Sequence, residues 1–186
     1  MKIKLLNSLH IKNLNGLSAL HKKSLKKTIA TTLSENNLAK LYSLLIDCKY
    51  LNAIVAIDES GNIVGGLTFK NFLSENKISI VNYLKIIKYL FYGFVSNPHT
   101  WLIEGYYKFG IYKNIDLEIN ILTLFVDQNY QNMGIAKSLI EYVELNFEGE
   151  LSVDTRTDNQ NALKFYIDQN FKIVNENKKN ISLVKQ

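Results

Sequence analysis

The chain has 186 residues, of which 47% are hydrophobic, enough apolar sequence to bury the core of one domain. The single cysteine, Cys48, excludes an intramolecular disulfide, and the three histidines lack metal-ligand spacing, so we expect a cytoplasmic protein without a metal site. The formal net charge of +5 comes almost entirely from scattered lysines, which argues against a nucleic-acid-binding protein and suits an anionic small-molecule partner.

The N-terminal part of the chain is predicted to form a strand, two helices and a β-hairpin. Leucines at helical spacing indicate the helices, and Ser34 is a suitable N-cap for the second one. The dipeptide Gly65-Gly66 in the second hairpin strand favours close approach of other chain segments. We expect no signal peptide, because no apolar segment with a cleavage site follows the first residues. The predicted elements are a strand at 2–6, helices at 14–25 and 35–45, and strands at 52–58 and 63–70.

Residues 72–95 form one long apolar helix candidate, in which Asn82, Lys85 and Lys88 argue against a membrane span. Three interpretations remain open for this helix. It can be a buried or packing helix, which we favour, a lid over the acceptor site, or an interfacial helix that touches a membrane or a lipid-linked substrate. We rank the interfacial interpretation below the others because the aromatic residues do not sort onto one helix face.

An aromatic-rich segment follows the turn that Asn97-Pro98 predicts. Residues 101–112, with the sequence WLIEGYYKFGIY, could stack on a sugar or a nucleobase. They could equally fill the core beneath a loop, which is the commoner arrangement.

The central unit of the chain, residues 117–145, is predicted to be a strand, a polar loop and a helix. The strand ends at Val126, and the helix opens at Gly134. The unpaired N–H groups of a helix start, approached closely past small residues, can hold a phosphate or a pyrophosphate. The alternative is a helix start that merely follows a buried strand. The spacing alone supports the two interpretations equally. A strand at 151–155, a helix at 159–169 and strands at 171–174 and 181–184 are predicted to complete the chain.

Two motifs in this half of the chain match one known family. The pattern Gln131-x-x-Gly134-x-Ala136 resembles the acetyl-CoA signature of the GNAT N-acetyltransferases. Residues 159–171, NQNALKFYIDQNF, resemble a second segment of that family at the expected spacing. Asn170 stands where the family usually has Gly, a mild departure because Asn also tolerates the left-handed conformation at a helix end.

The resemblance implies a GNAT fold of the α/β (α+β) class. We expect a mixed, mostly antiparallel sheet flanked by helices, in which strands four and five splay apart. We expect residues 1–186 to form a single acetyltransferase domain, with 71–114 as a variable helical and aromatic insert beside the acceptor site. The family resemblance also makes a homodimer an open expectation.

The resemblance further implies acetyl-CoA as co-substrate and no metal. The pantetheine arm is expected to bond to the backbone of the fourth strand, the pyrophosphate to rest on the loop, and Asn159 to contact the cofactor. The predicted cofactor-binding residues are Leu124, Val126, Gln131, Asn132, Met133, Gly134, Ile135, Ala136, Lys137 and Asn159.

The implied chemistry is direct attack of an amine on the thioester, with Tyr166 as proton donor to the thiolate. The alternative for Tyr166 is simple packing against the sheet. Asn120 occupies the usual carboxylate position, so Glu118, on the same face, is the candidate base through a water molecule, although it could also be a solvated strand end. A base is unnecessary if the amine is already partly neutral. The candidate acceptor contacts are Glu104, Tyr106, Tyr107 and Asn120.

The predicted function is an acetyl-CoA-dependent N-acetyltransferase that acts on a primary amine. Residues 20–45 loosely resemble GNAT members associated with bacterial polysaccharides, which favours a nucleotide-linked amino sugar as acceptor. The alternatives are a protein N-terminus, another small amine such as a polyamine or an aminoglycoside, a non-catalytic acyl-CoA sensor, and a plain interaction domain.

Overall fold

The computed structural model describes residues 1–25, 28–73, 78–108 and 117–186, and side chains in the segment 98–108 only as far as residue 103. The helices and strands follow the predicted order, with ends displaced by a few residues. The elements are β1 (Lys2–Leu5), α1 (Ile11–Ser24), α2 (Glu35–Asp47), β2 (Asn52–Ile57), β3 (Ile63–Asn71), α3 (Ile80–Ser96), α4 (Pro98–Lys108), β4 (Ile119–Val126), α5 (Ile135–Asn146), β5 (Leu151–Arg156), α6 (Gln160–Asp168), β6 (Lys172–Glu176) and β7 (Asn180–Lys185).

The strands of the described chain form one sheet in the order β1-β2-β3-β4-β5-β7-β6. Neighbouring strands are antiparallel except β4 and β5, which are parallel. A parallel pair needs a crossover connection, and α5 supplies it. This is the mixed, mostly antiparallel sheet that the sequence predicts.

Both faces of the sheet are covered, and each covering forms its own hydrophobic core. On one face, α5 and α6 pack through residues such as Leu139, Ile140 and Tyr166. On the other face, α1 and α2 pack through residues such as Leu17 and Leu38. Residues that alternate along a strand enter opposite cores, so the central strands are buried on both sides.

The two glycines in the middle of β3 allow this double packing, as their position in the sequence predicts. A Cβ at Gly65 would lie 2.8 Å from Cγ2 of Ile135, and a Cβ at Gly66 would lie 2.5 Å from Cδ1 of Leu17. A larger residue at either position would force the side chains that pack there to shift.

Two local predictions are confirmed in the backbone. The Ser34 side chain accepts a hydrogen bond from the Asn37 N–H at 3.3 Å, so it caps α2. Asn170 follows α6 with φ of +67°, the left-handed conformation that glycine usually provides in the family motif. Cys48 is buried at the end of α2, as expected of a core cysteine.

The favoured interpretation of the long apolar helix needs a correction. Helix α3 begins at Ile80, after Ser79 as N-cap, and not at residue 72. It packs on the core through a narrow stripe that includes Ile86, Tyr89 and Gly93, but it is not buried, because most of its other apolar residues are exposed. No helix in the described parts of the chain is long and apolar enough to cross a membrane.

Candidate functional site

Strands β4 and β5 separate in the middle of the sheet, as the family resemblance implies. Their parallel pairing runs from Ile119–Leu151 to Ile121–Val153 and ends there. On its other side, β4 keeps its pairing with β3, but the register shifts beside Leu122, which is the extra residue of a β-bulge. The bulge bends β4 away from β5, so the β5-facing edge of β4 beyond Ile121 is left without a strand partner in the described chain.

The loop after β4 leads into the start of α5 beside the point where β4 and β5 separate. Asn132 and Gly134 both adopt left-handed conformations, with φ of +62° and +78°, and α5 begins at Ile135 without a side-chain cap. The N–H groups of its first turn are therefore available to a ligand, and the helix dipole adds partial positive charge. Residues 131–134 are exposed, so an anion can reach these groups.

Two long-range contacts brace this loop. Lys23 of α1 forms an ion pair with Asp127 at 2.7 Å, and this hydrogen bond lowers the pKa of the Asp127 carboxyl. The Tyr130 hydroxyl donates to Asp58 at 3.0 Å, in the turn between β2 and β3. The pKa of Asp58 is lowered, mainly by the N–H of Asn62. The loop is thus held from both sides of the sheet before any ligand binds.

A cavity of about 450 Å³ adjoins the loop on the side of the β2–β3 turn. Its lining includes Asp58, Tyr130 and Met133, but neither Tyr166 nor Asn159. Of the predicted cofactor-binding residues it touches Met133 and Ile135, so it adjoins the helix start but does not reach Tyr166 or Asn159.

Helix α6 carries the second motif. Tyr166 is buried, and its ring lies 5.3 Å from the ring centroids of both Phe165 and Phe171. Burial raises the pKa of the Tyr166 phenol, so the hydroxyl keeps its proton at neutral pH. Tyr166 thus packs in the core, as one of the two interpretations expects, whereas its role as proton donor stays a prediction.

Asn159 caps α6, because its side chain accepts the Ala162 N–H at 3.3 Å. The side chain is exposed at the helix start, so capping and cofactor binding are compatible. Its contact with the cofactor stays a prediction.

A row of four polar side chains crosses the sheet where β4 and β5 part, on the face opposite α6. We call Asn120, Ser152, Asp154 and Ser182 the polar row. The Asn120 amide donates to Ser152 at 2.9 Å, and the Ser182 hydroxyl donates to Asp154 at 2.6 Å. Asp154 is an exposed carboxylate and directly follows Val153, the last β5 residue paired with β4.

Sequence reasoning missed Asp154. The available signal was strand alternation in LSVDTR, because Leu151, Val153 and Thr155 face the core and leave Asp154 on the other face.

Glu118 lies at the far end of the paired segment. Its carboxylate accepts the Glu150 N–H at 3.1 Å, and its side chain packs beside Gly149. It precedes Ile121 by three residues, about 10 Å along the strand, so it is well separated from the point where β4 and β5 part. Glu118 anchors the loop before β5, and its assignment as base stays a prediction.

Three of the predicted acceptor contacts cannot be placed. Glu104, Tyr106 and Tyr107 fall within α4, but their side chains lie outside the described residues. The fourth, Asn120, belongs to the polar row.

Comparison with known proteins agrees with this geometry. Residues 22–171 match the model of the Acetyltransferase (GNAT) family. No curated protein sequence matches the chain significantly.

Solved structures share the fold over nearly the whole chain. An N-acetyltransferase, PaiA, from Thermoplasma acidophilum, in complex with coenzyme A, has a TM-score of 0.59 at 14% identity, with 100% of this chain and 99% of that chain covered. Arabidopsis thaliana NAA60, in complex with acetyl-CoA, has a TM-score of 0.56 at 16% identity, with 99% and 97% covered. An aminoglycoside 6'-N-acetyltransferase from Acinetobacter haemolyticus has a TM-score of 0.55 at 14% identity, with 95% and 94% covered.

The fold, a mixed sheet whose one parallel strand pair separates beside a helix start, is the GNAT fold, which acyltransferases adopt. The chain belongs to the GNAT family, since the family model covers most of its length. It is an acetyl-CoA-dependent N-acetyltransferase.

Proposed function

We propose that the chain transfers the acetyl group of acetyl-CoA to the primary amine of a small molecule, with a nucleotide-linked amino sugar as the leading acceptor class. The use of acetyl-CoA as donor is supported by the gap between β4 and β5, which lies beside the uncapped start of α5. The gap can take the extended pantetheine arm of acetyl-CoA, and the N–H groups at the start of α5 can bind its pyrophosphate.

The acceptor half is supported by a cation held among aromatic rings. Lys70 pairs with Asn120 across β3 and β4, so the two side chains share one face of the sheet. The Lys70 ammonium donates to the Tyr50 hydroxyl at 2.5 Å and lies 5.7 Å from the centroid of the Phe72 ring. Lys70 can bind a phosphate group, and the half-exposed Phe72 ring can stack on a base or a sugar. This combination suits a nucleotide-linked molecule. The loose resemblance of residues 20–45 to polysaccharide-associated relatives points the same way.

The proposed reaction passes through the gap from one face of the sheet to the other. The acceptor nitrogen attacks the thioester carbon, the carbon–sulfur bond breaks, and the Tyr166 hydroxyl gives its proton to the sulfur. The attacking amine gives its proton to a carboxylate on the side of the polar row. Asp154 is the carboxylate at the point where the strands part, and Glu118 is the alternative about 10 Å away along β4.

The test is thiol release from acetyl-CoA across a panel of acceptors. The panel contains nucleotide-linked amino sugars, free amino sugars, peptides with free N-termini, polyamines and aminoglycosides. Turnover confined to the nucleotide-linked sugars supports the proposal, and Lys70→Gln should then raise the KM for the acceptor about tenfold or more. Turnover with peptides or another amine class instead rejects the acceptor proposal and retains the transferase.

The second candidate is a non-catalytic acyl-CoA sensor, favoured by the amide of Asn120 where relatives carry a carboxylate. Acetyl-CoA binding in a thermal-shift titration, without thiol release for any panel member, would favour the sensor. Absence of both binding and turnover would contradict the transferase and the sensor alike.

A further inference from the structure

Helix α3 presents its most apolar side to solvent. Five residues spaced three or four apart form a continuous line along this side, which we call the α3 ridge. They are Ile80, Leu84, Ile87, Phe91 and Val95, with 80%, 60%, 45%, 60% and 61% of their surface exposed. The opposite side of the helix holds the stripe of Ile86, Tyr89 and Gly93 that packs on the protein. An exposed apolar line of this length marks an interaction site rather than ordinary surface.

The charges on α3 are all of one sign. Lys88 is exposed beside the ridge, Lys85 is exposed farther round the same flank, and α3 contains no acidic residue. The Lys88 ammonium lies 5.8 Å from the centroid of the Tyr92 ring, on the same flank of the helix. Long lysine side chains at the edge of an apolar face can place their ammonium groups at a polar boundary while the ridge enters an apolar phase.

We propose that the α3 ridge docks on an anionic lipid surface, with the helix lying in the plane of the interface. Its 17 residues are too few to span the hydrocarbon core, but an apolar ridge flanked by lysines and tyrosines is the pattern of an in-plane helix. The ridge supplies apolar burial, and Lys85 and Lys88 supply attraction to phosphate headgroups.

A second copy of the chain fits this surface less well. A symmetric dimer would place α3 against the α3 of the other copy, because both copies use the same patch. Each copy would then bring two lysines to the interface, and α3 of the partner offers no carboxylate to pair with them. Anionic headgroups provide the missing complementary charge.

The experiment is flotation of the full chain with vesicles of phosphatidylcholine alone and of phosphatidylcholine with roughly one-third phosphatidylglycerol. We expect binding to the anionic vesicles that weakens as salt is added. Replacing the ridge residues Leu84 and Phe91 by Ser should reduce the partition coefficient at least tenfold. Replacing Lys85 and Lys88 by Gln should reduce it about thirtyfold at low salt, since each lysine near the surface contributes a factor of about five.

Matched controls separate the ridge from general surface properties. Leu145→Ser changes a leucine that is more exposed than Leu84, 84% against 60%, on α5 at the other face of the sheet. Replacing the exposed Lys164 and Lys172 by Gln removes the same charge elsewhere. Both controls should bind vesicles within twofold of the parent, and all variants should keep the parent's thermal unfolding midpoint.

Three results would overturn the proposal. The first is a parent protein that floats with neither vesicle, which would leave a protein partner as the occupant. The second is a ridge variant that binds as tightly as the parent. The third is self-association of the parent in sedimentation velocity that the Leu84 and Phe91 replacements abolish, because the second copy would then be the occupant.

Discussion

At the scale of single residues, the proposed acid and the proposed base lie on opposite faces of the sheet. Tyr166, a residue of α6, lies in the core between that helix and the sheet. Asp154 lies on the opposite face of the sheet, beside the gap. Each side chain has a structural contact as well as a proposed chemical role, so the two roles must be separated by substitutions that remove chemistry and keep packing.

Replacing Tyr166 by Phe removes only the hydroxyl. We expect kcat to fall at least a hundredfold, because a proton donor to the leaving thiolate is lost, while the ring still packs on Phe165 and Phe171. The measurement is steady-state thiol release beside an acetyl-CoA titration, in which affinity should be unchanged. Tyr142→Phe, on a tyrosine of α5 that packs on the same core, is the control and should keep full activity. A fully active Tyr166→Phe enzyme would leave Tyr166 with packing alone.

The two candidate carboxylates can be compared with isosteric amides. Asp154→Asn should lower kcat/KM for the acceptor at least tenfold, because the negative charge at the gap is lost. Glu118→Gln should have little effect, because the amide oxygen can still accept the Glu150 N–H. The acceptor dependence of thiol release gives both values. The reverse pattern, with Glu118→Gln inactive and Asp154→Asn normal, would identify Glu118 as the base.

His21 makes folding stability depend on pH. It is buried against Phe125 and hydrogen-bonded to the Tyr42 hydroxyl at 2.5 Å, and burial lowers its pKa to about 4. The unfolded chain binds a proton at this residue below about pH 6.5 and the folded chain only below about 4, so stability falls as pH drops through that window. The loss from this group is on the order of 3 kcal/mol.

Denaturant unfolding at several pH values between 4 and 7 measures this dependence. The His21→Gln variant should show a shallower loss of stability on acidification than the parent. His99→Gln, at an exposed position, is the control and should follow the parent curve. Parallel curves for His21→Gln and the parent would contradict the lowered pKa.

At the scale of elements, the decisive unit is the loop that turns β4 into α5. Gly134 has φ of +78°, and an added Cβ would meet nothing within 4 Å. Glycine is therefore favoured here by the backbone conformation and not by lack of space. The conformation in turn sets the direction of the first N–H groups of α5.

Gly134→Ala should weaken acetyl-CoA binding at least tenfold, because the strain of about 1–2 kcal/mol is relieved by a change in loop conformation. Gly61→Ala is a matched control, since Gly61 has φ of +83°, also without a neighbour within 4 Å, in the β2–β3 turn. Thermal unfolding should show a similar loss of stability in both variants. Only the Gly134 variant should lose affinity in the acetyl-CoA titration. Equal affinities in the two variants would argue that the loop does not hold the cofactor.

At the scale of the whole molecule, the site depends on a sheet that is covered on both faces. Helix α1 lies close enough to β3 to leave no room for a Cβ at Gly66, and the same helix supplies Lys23 to the loop after β4. Packing and positioning of the loop are therefore linked through α1.

Gly66→Ala should destabilise the fold by about 1–3 kcal/mol, because the new methyl group would meet Leu17 at 2.5 Å and Phe125 at 2.9 Å. Denaturant unfolding measures the change. The double variant Gly66→Ala with Leu17→Ala should recover part of the loss if the clash with α1 is the cause. If the double variant is no more stable than Gly66→Ala, the contact with the Phe125 ring is the cause of the loss instead.

Features set within a few residues were predictable from the sequence. The strand, loop and helix of residues 117–145, the Ser34 cap and the left-handed Asn170 all depend on local dihedral preferences and local hydrogen bonds. The GNAT motifs lie within such local segments, which is why family, fold and cofactor could be predicted together.

Tertiary structure decided the relations between distant segments. The Lys23–Asp127 pair joins residues 104 positions apart, and the register of β5 and β7 brings Ser182 to Asp154. The helical pattern of α3 predicted a helix, but only the stripe that packs on the protein shows which side is left to solvent. Local sequence determines what each segment can form, whereas the pairing of strands and the packing of helices on them determine which side chains meet, because those contacts depend on the whole sheet at once.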